Sequence, residues 1–259
     1  MQTDLLLRQR QAIIQDRLKS SGRVLAVDLA KEFGVSEDTI RRDLREMAAA
    51  GLCERVYGGA LPLAPGGTSL AKRVAELTDR KQALAVAATS FIRSGMTVFF
   101  DASSTNLAIA QALPADIRLV AVTNTPLIAA ALLDKIGVEI IVIGGRIDRQ
   151  VGGAVGSAAQ REILALRPDL CILGACGIDV GAGITAFDYE DAAFKRLAAQ
   201  QSAAVLVAVT ADKIGTSAPH AVVPADQCTT LIVEDGASAA SLSAFRKIGI
   251  DVVLTRDRN

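Results

Sequence analysis

Residues 35–60 read V-S-E-D-T-I-R-R-D-L-R-E-M-A-A-A-G-L-C-E-R-V-Y-G-G-A, and this stretch decides how the rest of the chain is parsed. Ser36 is suited to cap a helix, because its hydroxyl can accept the otherwise orphaned N–H of Thr39. Ile40, Leu44 and Met47 then recur with helical spacing and give one apolar stripe. At about 3.6 residues per turn, Asp38, Arg41, Arg42 and Arg45 fall on the opposite face. Gly51 ends the helix, and Cys53 to Tyr57 read as a short strand running into Gly58-Gly59. A short arginine-bearing helix followed at once by a hairpin tip has the layout of a winged helix-turn-helix. In that layout the helix enters the major groove of DNA and the wing touches the backbone or minor groove.

Arginine forks suit guanine edges and phosphates. The candidate contacts are Ser36, Thr39, Arg41, Arg42 and Arg45 on the helix, and Arg55, Tyr57 and Gly58 on the wing. On chemistry alone the same arginines serve equally as a solvated face, with Asp38 pairing Arg42 for a few tenths of a kcal/mol. The order of residues goes further. V-S-E-D-T-I-R-R-D-L, then G-L and R-V-Y-G-G-A, closely resembles the DNA-binding signature of the DeoR family of bacterial transcriptional regulators. Upstream, residues 5–19 and 24–33 read as two more helices, the second with Leu25, Leu29 and Phe33 inward. Family members place Ser or Thr where Leu25 stands, so a weaker cap is expected there.

The chain has 259 residues, 51% hydrophobic but only 3% aromatic, so its core must be built from Ala, Val, Leu and Ile. Formal net charge is zero, and residues 1–60 hold ten Lys/Arg against nine Asp/Glu. DNA binding would therefore rely on placed arginines and on pairing of two chains, not on bulk attraction. No cationic-then-apolar leader opens the sequence and no apolar run approaches a membrane span, so a soluble, cytoplasmic protein is expected. The four cysteines (Cys53, Cys171, Cys176, Cys228) lack C-x-x-C spacing and His220 is the sole histidine. Buried reduced thiols are expected, with no metal and no cofactor.

Residues 1–60 are thus read as the DNA-binding unit. Residues 61–69 (L-P-L-A-P-G-G-T-S) form the linker, and residues 70–259 a second domain. In that domain helices at 78–92, 105–113, 126–133, 188–200 and 238–248 are interspersed with strands at 97–100, 119–122, 138–143, 170–173, 205–209, 231–233 and 252–254. The alternation predicts a doubly wound α/β domain with a mainly parallel sheet. Ligands of such sheets sit at strand carboxyl ends, beside helix N-termini. Several strands here end in small polar residues: Asp101-Ala102-Ser103-Ser104-Thr105, Thr123-Asn124-Thr125, Gly144-Gly145-Arg146 and Gly174-Ala175-Cys176-Gly177-Ile178-Asp179. Each loop alone is explained by helix capping; four together point to a phosphate-sized polar pocket.

This half resembles the DeoR family's effector-sensing domain, akin in fold to ribose-5-phosphate isomerase, glucosamine-6-phosphate deaminase and the CoA transferases. The resemblance implies an effector site drawn from Asp101, Ser103, Ser104, Thr105, Thr123, Asn124, Gly144, Gly145, Gly174, Gly177, Asp179, Lys195 and Lys213. Ser103, Cys176 and Thr210 depart from the Gly, Asp and Asp of the family pattern. Without the resemblance, Asp191 and Lys195 read as an exposed helical pair worth little.

The implied function is a repressor of a sugar or polyol catabolic operon. It binds double-stranded operator DNA as a homodimer or homotetramer, under control of a phosphorylated sugar or related metabolite. The alternative from another class is a sugar-phosphate isomerase or deaminase, using Asp101, Asp179, Glu190 and Lys195 as acid/base groups. A fused DNA-binding module argues against catalysis as the purpose. Redox sensing through Cys176 would need an electropositive, exposed thiolate, which the sequence does not display.

Overall fold

The computed structural model of the chain describes residues 6–65, 68–76 and 79–255. Leu5 and Thr78, expected as helix starts, and positions 66 and 67 of the linker lie outside them.

The N-terminal unit holds α1 (Leu7–Ser21), β1 (Val24–Leu25), α2 (Ala26–Phe33), α3 (Glu37–Ala49), β2 (Glu54–Val56) and β3 (Gly59–Leu61). Ile14, Leu29, Phe33, Ile40, Leu44 and Met47 close into one apolar core between the three helices. The expected helix at 24–33 is shorter than its hydrophobic pattern, because Val24 and Leu25 pair with Ala60 and Gly59 of the wing. Strand pairing satisfies their backbone groups before α2 starts, and Leu25 caps α2 with no side-chain hydrogen bond. Gly59 is required by that pairing: a Cβ there would lie 1.9 Å from the Val24 carbonyl oxygen.

Beyond Leu61 the order is α4 (Leu70–Ala75), α5 (Asp79–Thr89), β4 (Thr97–Phe100), α6 (Ser104–Ala112), β5 (Leu119–Thr123), α7 (Pro126–Leu132), β6 (Val138–Val142), β7 (Arg146–Asp148) and β8 (Gly153–Val155). There follow α8 (Ser157–Leu164), β9 (Leu170–Leu173), β10 (Gly177–Asp179), β11 (Gly183–Ala186), α9 (Tyr189–Gln201), β12 (Val205–Val209), β13 (His220–Val223), β14 (Thr230–Val233), α10 (Ala239–Lys247) and β15 (Asp251–Leu254).

Seven strands form one sheet in the order β15-β14-β12-β9-β4-β5-β6, every neighbouring pair parallel. All residues of β9 and β12 are buried, which is why these strands are continuous apolar runs without polar alternation. Successive side chains still go to opposite faces. Phe99, Val122, Leu173 and Val207 pack beneath Ile163, Phe194 and Phe245. Val98, Phe100, Ile172 and Leu206 pack beneath Leu84, Ile109 and Ile128.

The strand order positions the site. The chain enters the sheet at β4, winds outward through β5 and β6, then returns to β9 on the other side of β4 and winds the opposite way. A crevice must open at the carboxyl ends of β4 and β9, where the connections diverge. Asn106 staples that point, donating through Nδ2 to the carbonyls of Asp101 (2.9 Å) and Ile172 (2.8 Å).

Candidate functional site

The first candidate surface is α3 and the wing. Ser36 Oγ accepts the Thr39 N–H at 3.1 Å, the cap that starts the helix. Asp43 is buried on its inner side and held by Arg10 of α1 through two contacts, Nε–Oδ2 at 2.7 Å and Nη2–Oδ1 at 3.2 Å. This pair fixes α3 against α1, and its long sequence separation hid it from a reading of local spacing. On the outer face Arg41 lies beside Glu37 (2.7 Å) and Asp38 (3.5 Å), and Arg42 beside Glu46 (3.6 Å). The Asp38–Arg42 pairing weighed from spacing is replaced by these. All are exposed, so each pair contributes at most about 1 kcal/mol and leaves the guanidinium free to exchange partners. Arg45 is exposed too, its Nε on the Arg41 carbonyl. Arg55 is exposed on β2, and Tyr57 and Gly58 form the turn at the wing tip. The Tyr57 ring is fully exposed.

The second is a cavity of about 110 Å³ at the switch point, far above the roughly 10–15 Å³ that one water needs. Ala102, Ser103 and Ser104 line it from the end of β4, and Gly174, Ala175 and Cys176 from the end of β9. Phe187, Asp188, Asp191 and Lys195 enter from the start of α9, Gln150 and Val151 from the β7–β8 turn, and Lys213 from the loop after β12. Pro65, Thr68 and Arg73 complete the wall from the linker and α4. Ser103, in place of the family's Gly, is the N-cap of α6 and accepts the Asn106 N–H. That leaves first-turn amides of α6 at the cavity, an arrangement suited to an anion. Gly174 cannot carry a side chain, since a Cβ would lie 2.7 Å from Asp101 Oδ2 and 2.8 Å from Ser103 Cβ.

A helix-turn-helix with exposed arginines thus shares a chain with a switch-point cavity. The DeoR-like helix-turn-helix domain model matches residues 10–64, and the DeoR C terminal sensor domain model matches residues 76–235. The chain belongs to the DeoR family of transcriptional regulators. It is 31% identical over 250 residues to the Putative aga operon transcriptional repressor of Escherichia coli O157:H7, covering 95% of this chain and 93% of the relative. It is 36% identical over 211 residues to the Glycerol-3-phosphate regulon repressor of Escherichia coli K12, covering 81% and 84%. Among solved structures, ribose 5-phosphate isomerase A of Methanocaldococcus jannaschii aligns over 50% of this chain and 51% of its own, at 10% identity and a TM-score of 0.36.

In this DeoR-family chain the Asp191–Lys195 pair is buried, not exposed, and a third group joins it. Lys195 Nζ lies 2.5 Å from Asp191 Oδ2 and 3.3 Å from Asp101 Oδ2. Asp101 Oδ2 also accepts the Gly174 N–H at 2.8 Å. Burial opposes the Lys195 charge, but the two carboxylates override it and hold the ammonium above the ordinary lysine range. One ammonium cannot neutralise two carboxylates. Burial, reinforced by the Asp101 charge and only partly offset by Lys195, therefore pushes Asp191 up to about 6.

A carboxylate with a raised folded pKa contributes stability that is fully present below its unfolded value of 3.8 and is lost as pH rises through about 6. Thermal melts of wild-type and Asp191→Asn protein should therefore show the wild type's relative stability falling between about pH 4 and about pH 7. A difference that stays flat across that window would mean Asp191 does not titrate there.

Of the residues expected at the effector site, Ser103, Ser104, Gly174, Lys195 and Lys213 line the cavity, with Asp101 directly behind Lys195. The others lie outside its wall. Thr105 is buried in α6, and Gly177 sits in β10 close against the Thr216 carbonyl. Thr123 donates to the Phe100 carbonyl and Asn124 to the Ala154 carbonyl. Gly144 donates to Glu162, with Gly145 beside it packed near Ala159. Asp179 Oδ1 accepts the N–H groups of Gly181 and Ala182, capping the β10–β11 turn. Sequence reasoning passed over Arg73, Gln150 and Asp188 as cavity residues. Asp188 was legible only as a cap, and Arg73 and Gln150 carried no signal, since only folding brings their segments to the crevice.

Proposed function

We propose that this protein is a cytoplasmic repressor of a sugar or polyol catabolic operon, and that a phosphorylated sugar or polyol in the switch-point cavity controls its grip on operator DNA. The carrying observation is that one crevice offers amides at a helix N-terminus, basic side chains and buried carboxylates. Such a site suits a ligand with an anionic end and hydroxyls. The names of the two relatives above, an aga operon and a glycerol-3-phosphate regulon repressor, agree in class. Ser36, Thr39, Arg41, Arg42 and Arg45 face the major groove, with Arg55, Tyr57 and Gly58 on the adjacent backbone or minor groove. A homodimer or homotetramer places two such helices about one turn of DNA apart.

The effector works through unequal affinity for two arrangements of the chain, one of which matches the operator spacing. The regulator does its work by binding, without turning the ligand over. Footprinting of the promoter next to its gene, with and without glycerol 3-phosphate and hexose phosphates, tests this. Expected is a protected palindrome whose protection one of these ligands weakens. Protection that none of them alters rejects the sensing half, and no protection at all rejects the DNA-binding half.

A further inference from the structure

The cavity holds three basic side chains, and they are not equivalent. The Lys195 ammonium is already shared by Asp101 and Asp191, so that corner carries an excess of negative charge. Asp191 also keeps one carboxylate oxygen, Oδ1, buried and without a hydrogen-bond partner. An anion beside Lys195 would meet this excess; a hydroxyl, which can donate to Oδ1, would not.

The other two basic residues have the reverse character. Lys213 donates to the Ala175 carbonyl at 2.7 Å. Arg73 donates to the Thr68 carbonyl. Among the described residues neither has a carboxylate within ion-pair distance. Burial is the main cause that lowers the affinity of Lys213 for its proton; Cys176 opposes it, Arg73 adds to it, and Asp212 and Lys81 act more weakly in opposite directions. Two basic side chains that line the cavity without a carboxylate partner are left for a ligand to neutralise.

We infer that the anionic end of the effector is clamped between Arg73 of α4 and Lys213, with its hydroxyls directed to Asp191, and that Lys195 serves only to hold the two aspartates. This rests on the sensing function proposed above and adds the ligand's orientation and a residue, Arg73, from outside the matched sensor segment. The clamp also grips the segment that carries the wing. Ser217, four residues after Lys213, accepts the Ala64 N–H at 2.9 Å and donates to the Pro62 carbonyl at 3.3 Å. Leu61 at the near end of that segment closes β3. Arg73 lies at its far end, on α4, whose Leu70 N–H is bound to the carbonyl of the cavity residue Gln150 at 3.0 Å.

The test is calorimetric titration of the full chain with glycerol 3-phosphate and with inorganic phosphate. Loss of one charge-assisted hydrogen bond corresponds to about a 10- to 100-fold loss of affinity. Arg73→Met is expected to weaken both probes by that factor, and Arg73→Lys to recover part of it. Asp191→Asn should weaken glycerol 3-phosphate and leave inorganic phosphate unchanged. Wild-type affinity for both probes in Arg73→Met overturns the clamp, as does an equal loss of both in Asp191→Asn. If hexose phosphates take the place of glycerol 3-phosphate as the bound ligand, the same variant comparison is read with them; a wild-type protein that binds none of these probes overturns the sensing function itself and this assignment with it. Melting curves of each variant confirm that the fold is intact.

Discussion

Arg41→Ala combined with Arg42→Ala is expected to weaken operator binding by about a hundredfold or more while leaving the melting temperature nearly unchanged. The two effects separate because the same side chains do little in the free protein. Their partners Glu37, Asp38 and Glu46 are exposed, and exposed pairs contribute roughly 0–1 kcal/mol. On DNA each guanidinium can contact a base edge at about 1–3 kcal/mol, and the loss is felt on every recognition helix of an oligomer. Truncation also strips the cover from Glu37 and Asp38, which would then face phosphates. Gel-shift titration at two salt concentrations checks this. Loss of a phosphate contact lowers affinity uniformly and reduces the salt slope by about one per contact, whereas loss of a base contact relaxes sequence preference. Undiminished operator affinity in a folded double variant would remove α3 as the reading element.

Lys195→Met is expected to cost about 3–5 kcal/mol of stability, the usual consequence of removing one partner from a buried ion pair. Asp101 and Asp191 would remain in the interior with no cation between them. That is a large share of the roughly 5–15 kcal/mol that holds a protein folded. Without the ammonium the Asp191 carboxyl, already raised by burial, is driven further toward the protonated form, so its stabilising contribution persists to low pH and is lost as pH rises. Melts at about pH 5 and about pH 7.5 should therefore show the deficit shrinking in acid. A variant as stable as wild type at both would mean that the charge of Lys195 is not needed to hold the aspartates.

Much of the fold was legible from short-range pattern. The helices at 126–133 and 188–200 and the strands at 97–100, 170–173 and 205–209 emerged within a residue or so of their expected bounds. The two helices display their own period, and each of these strands is an apolar run bounded by polar or turn residues. The pairs β7–β8 and β10–β11 and the strand β13 were not legible. Strands of three or four residues cannot show an alternation, and they exist only because a partner completes their hydrogen bonds. The candidate site divides the same way. Ser103, Ser104 and Gly174 announce themselves as small polar residues at strand ends. Arg73 does not, because a lysine- and arginine-bearing short helix after a linker looks like any solvated segment.

Through its local order alone the sequence determined a capped helix with arginines on one face, a wing beside it and an α/β domain of parallel strands. Those features depend on neighbours two to four residues away. Tertiary structure alone decided that Asp43 is anchored by Arg10, that Lys195 is held by aspartates on two different elements, and that Arg73 and Lys213 line one crevice. Charges interact through space, and only the winding of the sheet outward from β4 brings those groups within each other's field.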